Sequence, residues 1–188
     1  MAEQLILPKK RDLFLTKQVD QASIGELTEK IVEINRDDVH LTKLYSVYGL
    51  GYTPEPIKIY IDSYGGMVYQ CFGLLSVMEI SKTPIHTIVT GCAMSAGFMI
   101  LICGHKRFAH NLSTPLYHQV SSGASGTVKE MEDKLEESKR LQKQLESIVR
   151  DKTKISKKKL AEIFESQKDW YMTAKEAEDL GVVDEILS

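Results

Sequence analysis

The sequence is short of charge imbalance, of cysteine and of long apolar runs, and each shortage closes off a class of protein. Its 24 Lys and Arg nearly cancel 26 Asp and Glu, leaving a net charge of -2. No strongly basic balance is available to hold a phosphate backbone, so nucleic acid is not an expected partner. The longest apolar run, around residues 98–103, is far too short to span a bilayer, and no membrane association is expected. The amino-terminal stretch "MAEQLILPKKRD" has no basic segment followed by an apolar run, so no secretory signal is expected. Three cysteines, Cys71, Cys92 and Cys103, all lie in apolar company. They read as reduced, buried thiols in a cytoplasmic setting. Cys103, His105 and His110 lack a further ligand pair at tetrahedral spacing, so no metal is expected. There is no G-x-x-x-x-G-K-[ST] motif, hence no expected bound nucleotide or other cofactor. Internal repeats and low-complexity tracts are also missing.

What remains is a chain of 188 residues, 43% hydrophobic and 27% charged, the size and make-up of one globular domain spanning 1–188. "IKIYID" (57–62) alternates strictly and predicts a strand. "SYGG" ends it, and apolar residues at helical spacing follow from Val68 to Met78. After Pro84, "IHTIVTG" predicts a second strand, and a short apolar helix starts at Ser95. Short strands are expected around 106–109 and in "PLYHQ". Strand, glycine turn, helix, repeated, predicts an α/β fold of stacked β-β-α or βαβ units, with sites at the carboxyl ends of the strands.

Residues 127–154 carry no Gly or Pro and are dense in Glu, Lys and Leu. Val128, Met131, Leu135, Leu145 and Val149 follow a heptad seam, which Ser138 and Gln142 interrupt. This predicts one long helix with a narrow apolar stripe, docked on a copy of itself or laid across its own domain. "SKKKL" reads as a solvated charge run. Thr173 and Glu176 predict a capping box, followed by a short helix stopped at Gly181 and a final strand. Residues 35–56 read as an irregular loop or hairpin that includes His40.

Acyl transfer at a serine needs an exposed hydroxyl at a tight turn, a base, and amides aimed at the developing oxyanion. In "TGCAMSAGFMI", Gly91 and Gly97 frame Ser95 among small residues. A small-residue helix start buried against a sheet is the alternative for these residues alone. The diglycine of "SYGG" offers an anion nest. One N–H there and one from Ala96 would make a two-donor hole, unless this is an ordinary strand-to-helix turn. Among the five histidines, His118 ends a predicted strand just before "VSSGASG". It becomes the candidate base when paired with Ser95. Asp169 lies beside Trp170, Tyr171 and Met172, where a partly buried carboxylate would orient an imidazolium. Alone it reads as a surface turn aspartate.

Taken together, "YIDSYGGMVYQCFGL", "TGCAMSAGFMIL", "PLYHQVSSG" and "KDWYMTAKEAEDLGVVDEIL" resemble the signature blocks of the Clp protease proteolytic subunit family. The order and separations match over roughly residues 12–187. The resemblance implies a ClpP/crotonase-type fold with a protruding handle helix, and an ATP-dependent serine endopeptidase acting on unfolded polypeptides. It implies Ser95 as nucleophile, His118 as base and Asp169 as its orienting partner, with Gly66 and Ala96 supplying oxyanion N–H groups. Substrate would add as a strand beside Gln119, Ser121, Ser122 and Gly123. Homo-oligomeric stacked rings, a tetradecamer in the family, and an AAA+ unfoldase partner are implied too. The setting would be the cytoplasm, or a host cytoplasm or organelle stroma for a phage or organelle gene. Two other readings use the same residues: a crotonase-like acyl-CoA enzyme, and a non-catalytic subunit of a mixed Clp-type ring.

The chain departs from the family's usual pattern in named places. Asp62-Ser63-Tyr64-Gly65-Gly66 stands where the family reads N-S-P-G-G, and Val120 stands where a proline usually follows His-Gln. Tyr64 is placed to narrow the substrate groove. "HLTKLYSVYGLGYTPEP" has no counterpart.

Overall fold

The computed structural model describes residues 10–123 and 125–187; the first nine residues of the amino-terminal stretch, where no targeting signal is expected, lie outside the described residues. In chain order the elements are β1 (Asp12–Leu15), α1 (Gln21–Val47), β2 (Ile57–Ser63), α2 (Val68–Ile80), β3 (Ile85–Met94), α3 (Ala96–Ile102), β4 (Lys106–His110), β5 (Thr114–Tyr117), α4 (Val128–Lys152), α5 (Lys157–Ser166), β6 (Trp170–Tyr171), α6 (Ala174–Asp179) and β7 (Glu185–Leu187).

The alternation seen in β2 has the expected result. Ile57, Ile59 and Ile61 are fully buried, while Lys58 and Asp62 are exposed on the other face. Strands β1-β2-β3-β4-β7 lie side by side in that order and run parallel. Helices cover the isoleucine face, and α3 is buried along its whole length. Among the described residues no helix covers the opposite face, where Phe14 is stacked on Tyr60 at 5.3 Å and Lys106 lies 4.7 Å over the Phe108 ring.

Strand β3 has two sets of neighbours. On one side it pairs β2, as far as Ala93 opposite Ser63; on the other it pairs β4 up to Val89 and β5 from Cys92 to Met94. The register shifts between Ile61 and Ser63 where this change occurs. The Asp62 carboxylate sits in the shift and accepts from the Cys92 N–H at 3.0 Å. Gly91, expected to shape the turn at Ser95, instead lies within β3, where its missing side chain makes room for that carboxylate.

The loop expected over residues 35–56 is a correction. Residues up to Val47, including His40, continue α1, a helix capped by Asp20 with a reciprocal bond from Ser23. Ile24, Leu27, Ile31, Ile34 and Asp38 make its buried stripe. Only the segment from 48 to 56 is irregular, and Tyr52 pins it by donating its hydroxyl to Asp38 at 2.8 Å. Asp38 also takes a two-point ion pair from Arg11 (2.8 and 2.5 Å) and a hydroxyl from Thr83 at 2.6 Å.

The heptad helix is α4, and it divides. Leu141 and Val149 are buried against the domain, whereas Val128 and Leu135 in the outer half are 70% and 55% exposed. The inner half therefore lies across its own domain and the outer half projects. Arg107 anchors its root, donating to the carbonyls of Lys152 and Gly181, both at 2.7 Å. "SKKKL" is the first turn of α5, capped by Ser156, with Leu160 and Ile163 turned into the core. The Thr173 capping box and the left-handed Gly181 occur as expected.

Candidate active site

Ser95 stands between the end of β3 and the start of α3, and its backbone is at φ 55°, ψ -119°. A non-glycine residue there stores roughly 1–3 kcal/mol, which the surrounding structure must over-determine. The over-determination is visible. The Ser95 N–H donates to the Leu116 carbonyl at 3.1 Å, its own carbonyl accepts the first α3 bond from Met99 at 3.2 Å, and Gly65 packs against it. A Cβ on Gly65 would fall 2.8 Å from Ser95 Cβ and 2.9 Å from the Ala96 nitrogen. Gly65, at φ 94°, is thus glycine both for its conformation and for this approach. A strained strand-to-helix turn that lifts a serine hydroxyl is the geometry of a nucleophile elbow.

The diglycine turn is fixed by Val19, which donates to the Gly65 carbonyl and accepts from Met67, each at 2.8 Å. Both bonds use the residues flanking Gly66. The Gly66 N–H makes no hydrogen bond among the described residues, and Ala96 is the first residue of α3, so its N–H has no acceptor within the helix. Both residues line a cavity of about 200 Å³ together with Ser95 and His118. Tyr64, 81% exposed, stands at its mouth.

The other two residues arrive on the β5–β6 ribbon. Met94 is opposite Leu116 in the parallel pairing, so Ser95 lies beside Tyr117 with His118 one step on. In the antiparallel pairing Leu116 faces Tyr171 and Tyr117 faces Trp170. His118 follows the last residue of β5 and Asp169 precedes the first of β6, so both lie at the same end of this ribbon. His118 lines both the Ser95 cavity and a neighbouring cleft of about 870 Å³ that Asp169 also lines. The fold thus brings together three positions that are remote in the chain. No hydrogen bond joins their side chains to one another in this single chain. Asp169 is exposed, not partly buried as its bulky neighbours suggested, because Trp170 and Tyr171 turn along the ribbon and leave it at the open end.

The remaining histidines are accounted for otherwise. His105 Nδ1 accepts from the Ile85 N–H at 3.0 Å and His110 Nδ1 from the Leu112 N–H at 3.3 Å. Burial, reinforced by Lys106 and Lys58, holds His86 below the ordinary imidazole value. His40 is exposed on α1. The cysteines are not rival nucleophiles. Burial pushes Cys71 well up, and pushes Cys92 and Cys103 up to about 11. Among the described residues no group of three His, Cys, Asp or Glu side chains converges to hold a metal ion, and no helix is long and apolar enough to cross a membrane.

The segment after His118 is held by α4 and forms no strand. The Val120 N–H donates to Gln142 at 2.7 Å, and Ser122 shares a hydroxyl bond with Ser138 at 2.8 Å. Gln119, Ser121 and Ser122 line the larger cleft; Gly123 follows them, exposed. The two polar residues that interrupt the heptad seam are therefore the two that grip this segment. Polar residues at apolar seam positions were the sequence signal for this role.

A largely parallel α/β domain places a strained serine turn beside the Gly66 and Ala96 amides, and comparison with known proteins says which family this is. A family model described as Clp protease matches residues 3–188. A protein of Bacteroides fragilis called ATP-dependent Clp protease proteolytic subunit is 31% identical over 179 residues, 94% of this chain and 79% of that protein. One of the same name from Bacteroides thetaiotaomicron is 31% identical over 179 residues, 94% of this chain and 74% of that protein. The ATP-dependent Clp protease proteolytic subunit 2 of Treponema pallidum is 30% identical over 135 residues, 71% of this chain and 67% of that protein. The chain belongs to the Clp protease family and is a ClpP-like peptidase with the α/β fold of that family.

Proposed function

We propose that the chain is a serine endopeptidase subunit in which Ser95, His118 and Asp169 act as one unit. What carries the reading is the double register of β5. It runs parallel to the strand that ends in the nucleophile and antiparallel to the strand that begins after the carboxylate. In the reaction, Ser95 Oγ attacks the peptide carbonyl carbon while the His118 imidazole takes its proton. The oxyanion so formed is met by the N–H groups of Gly66 and Ala96, each such donor being worth about 3 kcal/mol in the transition state. His118 then protonates the departing amine, and water, deprotonated by the same imidazole, releases the acyl group from Ser95. Asp169 holds the imidazole in the right tautomer and stabilises its cation. An extended substrate lies along residues 119–123.

The projecting outer half of α4 supports assembly. Val128, Met131 and Leu135 are uncovered in the single chain, and a second copy supplied by a stacked ring buries them. The open sheet face offers a further surface for partner chains, among them an ATP-driven unfoldase that feeds substrate. Since α4 grips the segment behind His118, assembly aligns the base with Ser95, and isolated subunits are weakly active. The setting that fits these partners is the cytoplasm.

The test is covalent. A fluorophosphonate probe should label the parent and not Ser95→Ala; equal labelling of both ends the reading. Size-exclusion fractions assayed with a fluorogenic peptide check the coupling, which fails if monomer fractions match assembled ones per subunit.

A further inference from the structure

Gln142 is 7% exposed on the face of α4 that packs against the domain. Burying an amide is costly unless its polar atoms are partnered, and here they are. Its carbonyl oxygen accepts the Val120 N–H at 2.7 Å. Its NH2 group donates to Glu146 Oε1 at 2.7 Å and, at 3.4 Å, to the Tyr117 hydroxyl. Glu146 as a carboxylate only accepts, so it fixes which end of the amide faces which partner: NH2 toward Glu146, oxygen toward Val120. Tyr117 is the last residue of β5, and Val120 lies past the end of its ladder. One side chain therefore touches the chain on both sides of His118, by the Tyr117 hydroxyl before it and the Val120 backbone amide after it, where sheet bonding has stopped.

From this geometry we infer that Gln142 is a positioning residue: through the Val120 amide and the Tyr117 phenol it sets where His118 sits relative to Ser95. The inference rests on the peptidase reading above. A purely architectural role would be served by leucine or methionine, because an apolar side chain at this seam position would pack without asking for partners. The amide instead spends all its hydrogen bonds on the segment carrying the base and on the carboxylate that orients it. Displacing a reacting group by about 1 Å costs up to about 10²-fold in rate, so the hold matters to turnover more than to folding.

The experiment uses the full-length assembled protein and three variants: Gln142→Met, Gln142→Glu, and the exchange Gln142→Glu with Glu146→Gln. Peptide kcat and KM, the rate of Ser95 labelling, melting temperature, and hydrogen exchange at the Val120 amide are read together. Gln142→Met should lower kcat and labelling rate by about tenfold, with KM within about twofold, and should speed Val120 exchange. Gln142→Glu sets two carboxylates side by side and should be at least as impaired. The exchange keeps an acceptor for Val120 and an amide donor at the other position, and should recover kcat to within about threefold of the parent. Parental kcat in Gln142→Met overturns the inference. So does an exchange variant that stays impaired, or a kcat loss that comes only with matching losses in KM and melting temperature. A parent that fails to label sinks the peptidase reading instead. Val120 exchange, which needs no activity, then still decides the hold, and an unchanged rate in Gln142→Met overturns it.

Discussion

The parallel sheet carries a polar cluster at each end of its strands, and the two follow opposite rules. At the amino ends, Asp38 is 2% exposed and accepts from Arg11, Tyr52 and Thr83. Its charge is paired and its oxygens are filled. At the carboxyl ends, Ser95, His118 and Asp169 make no hydrogen bonds to one another, and Ser95 sits at φ 55°. A cluster satisfied from within has nothing left to offer a ligand. One left unsatisfied at a cavity does, and the fold bears its cost through the packing around Gly65 and the core beneath. Burial and pairing therefore mark the first cluster as architecture, whereas backbone strain beside a cavity makes the second the candidate site.

The sharpest way to break this contrast is Ser95→Ala. It should cut peptide hydrolysis by at least about 10⁴-fold while leaving the melting temperature within a few degrees of the parent. Turnover that survives would make the strained turn a packing feature after all. Asp38→Asn should do the reverse. Breaking the pair between buried Asp38 and half-buried Arg11 costs up to about 3 kcal/mol, lowering the melting temperature by up to about 10 °C in a chain of this size. Probe labelling of the folded variant should be unchanged, and a parental melting curve would deny the amino-end cluster its structural role.

Smaller effects refine the comparison. Asp169 is exposed, so Asp169→Asn should lower kcat by about 10²-fold, less than the roughly 10⁴-fold seen when such a carboxylate is buried. A loss as large as that of Ser95→Ala would mean that assembly buries this residue. The smallest effect is a matter of pH. Burial alone would raise Asp38, but Arg11, Thr83 and Tyr52 outweigh it and hold the carboxyl below its ordinary value. Its contribution is therefore complete above the unfolded value of about 4 and is lost as pH falls through the folded one. Melting temperatures measured across that range should drop more steeply for the parent than for Asp38→Asn; parallel curves would remove Asp38 from the acid response.

Local pattern carried much of this in advance. Strict alternation marked β2, helical spacing marked α2, and the glycine turns marked both walls of the Ser95 cavity. The grouping of Ser95, His118 and Asp169 came through the family resemblance, because the pairings that place β5 and β6 are ones that no local spacing encodes. α1 was not read at all, and over its last turns the glycines and prolines from 49 onward drew the reading toward a loop. Its stripe of Ile31, Ile34 and Asp38 ends in a buried aspartate, which a hydrophobicity pattern counts as exposed. Gln142 was read as a flaw in a heptad. A buried hydrogen bond and an interruption look alike until the partner is seen.

The fork in β3 has a consequence for heat. Ser95 hangs on the broad parallel sheet, whereas the proposed base and carboxylate, His118 and Asp169, sit at the end of a ribbon whose two strands are joined by two residue pairs, Leu116 with Tyr171 and Tyr117 with Trp170. So thin a seam opens before the main sheet does. On warming, turnover should vanish while the helices still stand, and cooling should restore it without any refolding of the core.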